Sequence, residues 1–258
     1  MAAKENYHLH TTVSDGKLKP EELINLAIKR KFQIIGITDH YRLPPAFKEE
    51  RNDYYTEKDY KNLTRLRDKY ADKITVFIGA EFDWFSEHKD WIVKETKKRR
   101  YDSKFISMHF VKVSGKNEPI DLFAVTFDDS VKKIGIKNLV ESYYKELREG
   151  IETGCFDVAA HLDIIKMWNK NKKYFSGDEK WYKSQINETL RLIKKENMKI
   201  ELNTSGWRRY CNEQYPAGWI LKKAIKLKIP IIIGTDGHRK EHLEFGLKRA
   251  KNLLDRLK

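Results

Sequence analysis

Two uninterrupted β-branched runs constrain this chain more than anything else in it: IIGIT at 34–38 and IIIGT at 231–235. A strand that is apolar at every position must be covered on both faces, which is the condition of a parallel sheet flanked by helices. Strand-length apolar runs at 6–9, 33–38, 75–79, 105–107, 157–160, 199–202 and 231–234 alternate with amphipathic segments at 20–31, 57–70, 137–153, 180–196, 217–228 and 241–257. Alternation of this kind implies parallel strands joined by crossover helices. Seven such units in 258 residues predict an α/β barrel rather than an open sheet. Segments 41–56, 82–101 and 110–136 are expected as insertions after strands. No linker, fixed-period repeat or low-complexity block divides the chain, so residues 1–258 are expected to form one domain.

Composition narrows the class. Hydrophobic residues at 40% and aromatics at 12% are enough for a large core, which excludes a disordered chain. No apolar run approaches the roughly 20 residues that span a bilayer, and the first residues lack a signal-peptide apolar stretch. Cys155 and Cys211 sit in no CxxC arrangement, so a reducing cytoplasm is the expected compartment and no membrane partner is expected. The 52 Lys and Arg against 38 Asp and Glu leave +14, a field that attracts phosphates. The lysines are spread over the helical segments as solvated faces. The densest basic run, KETKKRR at 94–100, reads as a solvated helix end.

The chemistry lies where strands end. Six of eight histidines (His8, His10, His40, His109, His161 and His238) fall at or just past the C-terminal end of a predicted strand, and Asp15, Asp39, Glu81 and Asp236 share those places. A parallel barrel gathers all such ends on one rim. His8 and His10, two apart on a strand, face the same side. Taken singly, each histidine is as well explained by a hydrogen-bonded core or loop position; their joint placement predicts a shared metal site. Nine candidate ligands (His8, His10, Asp15, His40, Glu81, His109, His161, Asp236 and His238) exceed the four or so that one zinc takes, so several ions are expected. Mixed imidazole and carboxylate ligation suits zinc, iron or manganese. No organic cofactor is expected.

In order along the chain, HLHTTVSDG from His8, ITDH ending at His40, GAE ending at Glu81, the strand-end His109 and His161, and GTDGH ending at His238 resemble the motifs of the PHP (polymerase and histidinol phosphatase) superfamily. SMHFVKVSGKNEPID, AAHLDIIK and ELNTSGWRR are similar to its histidinol-phosphatase branch. The resemblance implies a distorted TIM-like (β/α)7 barrel with a trinuclear metal site at the C-terminal ends of the strands. It also implies a phosphomonoesterase of histidine biosynthesis that hydrolyses L-histidinol phosphate by attack of a metal-bound hydroxide. Carried over by motif, His8, His10, Glu81 and Asp236 hold the first metal. Glu81 bridges to the second with His109 and His161, and Asp15, His40 and His238 complete the third. Asp39, Asp236 and His238 are the catalytic candidates, with Asp39 orienting a ligand or passing a proton. Arg208, with Arg209 as its alternative, is the candidate phosphate clamp. Two positions depart from the family pattern: Ala160 stands where glycine is frequent, and Lys166 is the nearest match to a frequent arginine, which makes it the other phosphate-binding candidate. Trp84 or Trp207 is a candidate for stacking on an imidazole. The alternatives are a PHP-type nuclease or nucleotide phosphatase and a metal-free nucleic-acid-binding protein. Neither a single-strand stacking stripe nor a separate nucleic-acid module supports them, so a small phosphorylated substrate is expected and nucleic acid is not.

Overall fold

The structure is a computed structural model that describes residues 4–47 and 54–257. Seven strands form one all-parallel sheet in chain order: β1 (Glu5–Leu9), β2 (Ile34–Ile37), β3 (Thr75–Asp83), β4 (Ser103–Ser107), β7 (Val158–Ala159), β8 (Lys199–Asn203) and β9 (Ile231–Gly234). A separate antiparallel hairpin, β5 (Phe110–Val113) with β6 (Lys116–Pro119), stands outside that sheet. The helices are α1 (Pro20–Lys29), α2 (Glu57–Lys69), α3 (Lys89–Thr96), α4 (Ala124–Ile134), α5 (Ile136–Ile151), α6 (Lys180–Lys195), α7 (Gly218–Lys226) and α8 (Leu247–Leu257). Strand followed by helix, repeated, curls the sheet until β1 meets β9. The result is a nearly closed, distorted (β/α)7 barrel. Below the single bridge between Leu9 and Gly237, that last seam is held by side chains. Asn6 donates to Thr235 Oγ1 at 2.7 Å and to the Leu243 carbonyl at 3.0 Å.

The core follows from the apolar periodicity. Leu23, Ile24 and Ala27 of α1, Leu63 and Leu66 of α2, and Ile186, Leu190 and Ile193 of α6 are buried against Ile35, Ile37, Val76, Ile78 and Ile200. Two of the buried tyrosines find backbone partners for their hydroxyls. Tyr55 donates to the Gly79 carbonyl at 2.6 Å and Tyr143 to that of Leu162 at 3.2 Å.

Three expectations need correction, and one gains detail. The third strand continues four residues past Gly79, to Asp83, because β4 pairs with its second half. Glu81 therefore lies within a strand instead of beyond one. The insertions are also structured: α3 occupies part of 82–101, while the hairpin and α4 fill 110–136. Residues 48–53 of the 41–56 insertion lie outside the described residues. The last helix begins at Leu247, not 241, because Gly246 stands at φ +71, the left-handed region that breaks a helix. Finally, the basic run is not wholly solvated: Arg99 is packed among Tyr41, Tyr55 and Tyr60 and bonds Glu57 Oε2 at 3.1 Å.

Candidate metal centre

All nine strand-end candidates meet at the C-terminal mouth of the barrel. His10, Asp15, His40 and His238 each bring a ligand atom to within 4.8 Å of one another; so do His8, His10 and Asp236, and so do Glu81, His109 and His161. A fourth group joins His40 and His109 to Asp83. Glu81 sits between the groups. Its Oε1 lies 2.8 Å from His161 Nε2, and its Oε2 lies 3.0 Å from His40 Nδ1, 3.4 Å from His8 Nε2 and 3.6 Å from His10 Nε2.

The tautomers can be read from the outer partners. His8 Nδ1 is 2.8 Å from Glu201, His109 Nδ1 is 2.7 Å from Asp83, and His238 Nδ1 is 3.0 Å from the Asp236 carbonyl. Each acceptor takes the Nδ1 proton outward and leaves Nε2 facing into the cluster, where it carries a proton without metal and is free to ligate with one, the usual arrangement behind a metal-ligating histidine. His8 Nε2 consequently faces His10 Nε2 at 3.0 Å, two ring nitrogens directed at each other. A proton shared between them satisfies such a pair, and so does a cation in its place. Buried Glu81 Oε2 and His10 Nδ1 have no hydrogen-bond partner, which a cation also remedies. The donor set therefore fits divalent metal.

Electrostatics tell the same story. Burial disfavours charge on Glu81, yet His40, His8 and His109 hold its carboxyl well below the usual range. Asp236 is held low against burial by His10, His238 and His8, and Asp15 by His238, His40 and His10. Burial likewise disfavours charged His109, but Asp83, Asp121 and Glu81 push it up to about 10. Acids that stay ionised and imidazoles that hold protons to balance them are the state a cation would replace. The backbone is strained at two of the candidates, His161 at φ 24 and Asp236 at φ 49, at roughly 1–3 kcal/mol each.

Sequence reasoning missed Asp83 and Glu201. Both were marked by alternation, since Asp83 follows Glu81 by two on β3 and Glu201 precedes Asn203 by two on β8. Glu201 is fully buried and also accepts from the His161 N–H at 3.0 Å and Asn203 Nδ2 at 2.9 Å. Gly234 is required beside it, because a Cβ there would fall 1.9 Å from Glu201 Oε1. His242, set aside by the sequence pattern, accepts the His238 N–H at 3.4 Å; burial, then Arg208 and His238, lower it to about 4.

Asp39 accepts from Thr11 N at 2.6 Å, Thr11 Oγ1 at 2.7 Å and Ser14 Oγ at 2.7 Å, so it fixes the turn that carries Asp15. Arg208 donates through Nη2 to the Asp236 carbonyl at 2.5 Å, while Nη1 is buried without a partner. Arg209 is exposed. Lys166 requires correction as a phosphate ligand: its ammonium is buried and already shared among Asp163 at 2.9 Å, Glu213 at 2.9 Å and the Gln214 carbonyl at 2.9 Å. Trp84 packs in the core on Phe156, and Trp207 donates to Gln214 at 3.1 Å and lies under Arg249, so neither stacks on a cluster imidazole.

The family model for the PHP domain matches residues 6–205. The chain belongs to the PHP family. Among curated relatives, histidinol-phosphatase of Bacillus subtilis is 24% identical over 255 residues, covering 92% of this chain and 94% of that protein. The probable histidinol-phosphatase of Deinococcus radiodurans is 22% identical over 246 residues, covering 92% and 87%. In three dimensions, a Listeria monocytogenes protein described as a histidinol phosphatase superposes with a TM-score of 0.87 at 22% identity, covering 95% of this chain and 99% of its own. The histidinol phosphate phosphatase of Lactococcus lactis, solved with zinc, L-histidinol and phosphate, gives 0.72 at 18% identity, covering 98% and 93%. The two structures show the same fold over nearly the whole chain. Among the described residues, no helix is long and apolar enough to cross a membrane.

Proposed function

We propose that this chain is a single-domain, metal-dependent phosphomonoesterase that hydrolyses L-histidinol phosphate to L-histidinol and phosphate. The observation that carries the proposal is the mouth itself: nine imidazole and carboxylate groups converge there around the shared carboxylate of Glu81. The curated relatives of nearly equal length bear the histidinol-phosphatase name. Three divalent ions, drawn from zinc, iron and manganese, would be held by His8, His10, Glu81 and Asp236; by Glu81, His109 and His161; and by Asp15, His40 and His238, with His10 near enough to join the last set. Bound there, divalent cations supply Lewis-acid stabilisation of the phosphoryl charge and lower the pKa of water.

The chain's own groups do the rest. Arg208, anchored to the Asp236 carbonyl and with Nη1 otherwise unsatisfied, is placed to grip a phosphate oxygen. Asp39 acts through position, holding the Thr11–Ser14 turn so that Asp15 reaches His238 at 3.2 Å. Asp15 and His238 are the more exposed members of the cluster and form its entrance.

The test combines elemental analysis of the purified protein with side-by-side assays on L-histidinol phosphate, an aryl phosphate, a 3′,5′-bisphosphonucleotide and single-stranded DNA. About three metal equivalents and a preference for L-histidinol phosphate are expected. A metal-free active enzyme, or preference for either nucleic-acid substrate, overturns the proposal.

A further inference from the structure

Three acceptors surround the buried Lys166 ammonium, each at 2.9 Å: Asp163 Oδ2, Glu213 Oε2 and the Gln214 carbonyl. An ammonium has three N–H groups, so none is left over for a phosphate oxygen. Burying such a charge is unfavourable unless its donors are matched, and here all three are. The group joins two loops. Lys166 and Asp163 lie on the turn that leaves β7 after His161, while Glu213 and Gln214 lie on the segment between β8 and α7 that carries Arg208. Asp163 Oδ2 also accepts the Ala217 N–H at 2.9 Å, a second tie between the same two loops.

The two sides depend on the ammonium unequally. The turn after β7 is held by its own backbone: Ile164 N–H donates to the His161 carbonyl at 2.8 Å and Lys166 N–H to that of Asp163 at 3.0 Å. Glu201 takes the His161 N–H at 3.0 Å. The Arg208 loop is instead folded on itself, with Asn203 and Tyr215 exchanging backbone hydrogen bonds at its base. Trp207, next to Arg208, donates to Gln214 Oε1 at 3.1 Å. Gly206 lies so near the Glu213 carbonyl that a Cβ there would fall 2.0 Å from its oxygen. Residues 206–208 therefore rest on residues 213–214, the two that Lys166 grips. A guanidinium clamp is effective only if its support fixes it to a fraction of an ångström.

We propose that Lys166 is a positioning residue of this site: it sets the place of Arg208 through Glu213, Gln214 and Trp207 and touches no phosphate itself. The inference rests on the reading of Arg208 as the phosphate clamp and adds the residue that holds the clamp in place.

The test is a mutant cycle on the metal-loaded enzyme. Lys166→Met, Arg208→Ala and the double variant are compared with the parent by calorimetric binding of inorganic phosphate, by kcat and KM on L-histidinol phosphate, and by elemental analysis. Lys166→Met should weaken phosphate binding and raise KM about fivefold, with kcat within about threefold and metal content unchanged. Lys166→Arg should recover most of the loss. Arg208→Ala should cost about tenfold, and the double variant should stay near that value, since no clamp is left to position; independent contacts would multiply to about fiftyfold. Glu213 is 45% exposed, so Glu213→Ala should fold, weaken phosphate binding about threefold and add nothing to Arg208→Ala; this second cycle decides the matter if Lys166→Met does not fold. Multiplying losses would make Lys166 a phosphate ligand and overturn the proposal, as would unchanged phosphate binding in the Lys166 and Glu213 variants or a drop in their metal content. Phosphate binding unmoved by Arg208→Ala overturns the clamp itself. A parent enzyme that cleaves an aryl phosphate but not L-histidinol phosphate overturns the proposed substrate alone, because the phosphate-binding cycle still decides Lys166.

Discussion

Glu81 divides its oxygens between two sets of imidazoles, with His161 on Oε1 and His40, His8 and His10 on Oε2. An isosteric Glu81→Gln change keeps the volume but removes the charge that two sites share. It should fold, lose at least one metal equivalent by elemental analysis, and reduce kcat by about a hundredfold or more. Glu201 touches no candidate cation but orients His8, so Glu201→Gln should leave the fold intact and weaken metal affinity by roughly 10–100-fold in a chelator competition. Arg208→Ala should raise KM for L-histidinol phosphate by about tenfold, an effect visible as weaker inhibition by free phosphate. At this scale the sequence was legible wherever chemistry was explicit: a histidine at a strand end announces itself. Asp83 and Glu201 carried only an alternation signal, which does not single them out, because a carboxylate inside a strand looks the same whether it serves a lysine or a ligand's ring. Lys166 misled because its partner Glu213 is 47 residues away, and only the fold shows that its ammonium is already taken.

Helix α5 packs its inner face on the hairpin strand β5, and Glu146 lies in that contact, accepting the Lys112 N–H at 3.1 Å. Burial, with Glu149 and Glu87 adding to it, raises its carboxyl to about 7, although the Lys112 bond opposes the rise. A folded-state value above the unfolded one means that the folded chain binds the proton more tightly. The corresponding stability is therefore fully present below about 4.5 and is lost as pH rises through about 7. Glu146→Gln should match the parent near pH 4.5 and exceed it at pH 8 by roughly 1–3 kcal/mol in urea unfolding. Equal stability at both values would rule out a buried, raised carboxyl. The elements themselves were largely legible, since every sheet strand except the extended third one falls within two residues of its expected bounds. The hairpin was concealed because its strands are short and half polar, although Ser114 and Gly115 at φ 49 and 84 form a compact turn between them.

Across the molecule, His8, His109 and His238 are raised by the carboxylates around them despite burial. Metal must displace those protons, so loading should release protons and affinity should rise with pH through neutrality. Calorimetry in buffers of different ionisation enthalpy measures the release. Chelation should lower the melting temperature reversibly, since ligand at about 100 times its Kd stabilises the folded state by about 2.7 kcal/mol. The barrel was legible as a whole because strands apolar on both faces call for a helix-covered parallel sheet and seven such units favour a closed one, whereas the seam between β1 and β9 depends on Asn6, whose role no local pattern announces. That seam has a consequence for synthesis. His8 and His10 leave the ribosome more than two hundred residues before Asp236 and His238, which complete their surroundings. On the proposed assignment, a growing chain carries this pair of imidazoles without the walls that complete the site, and would take up its ions only as a closing act of biogenesis.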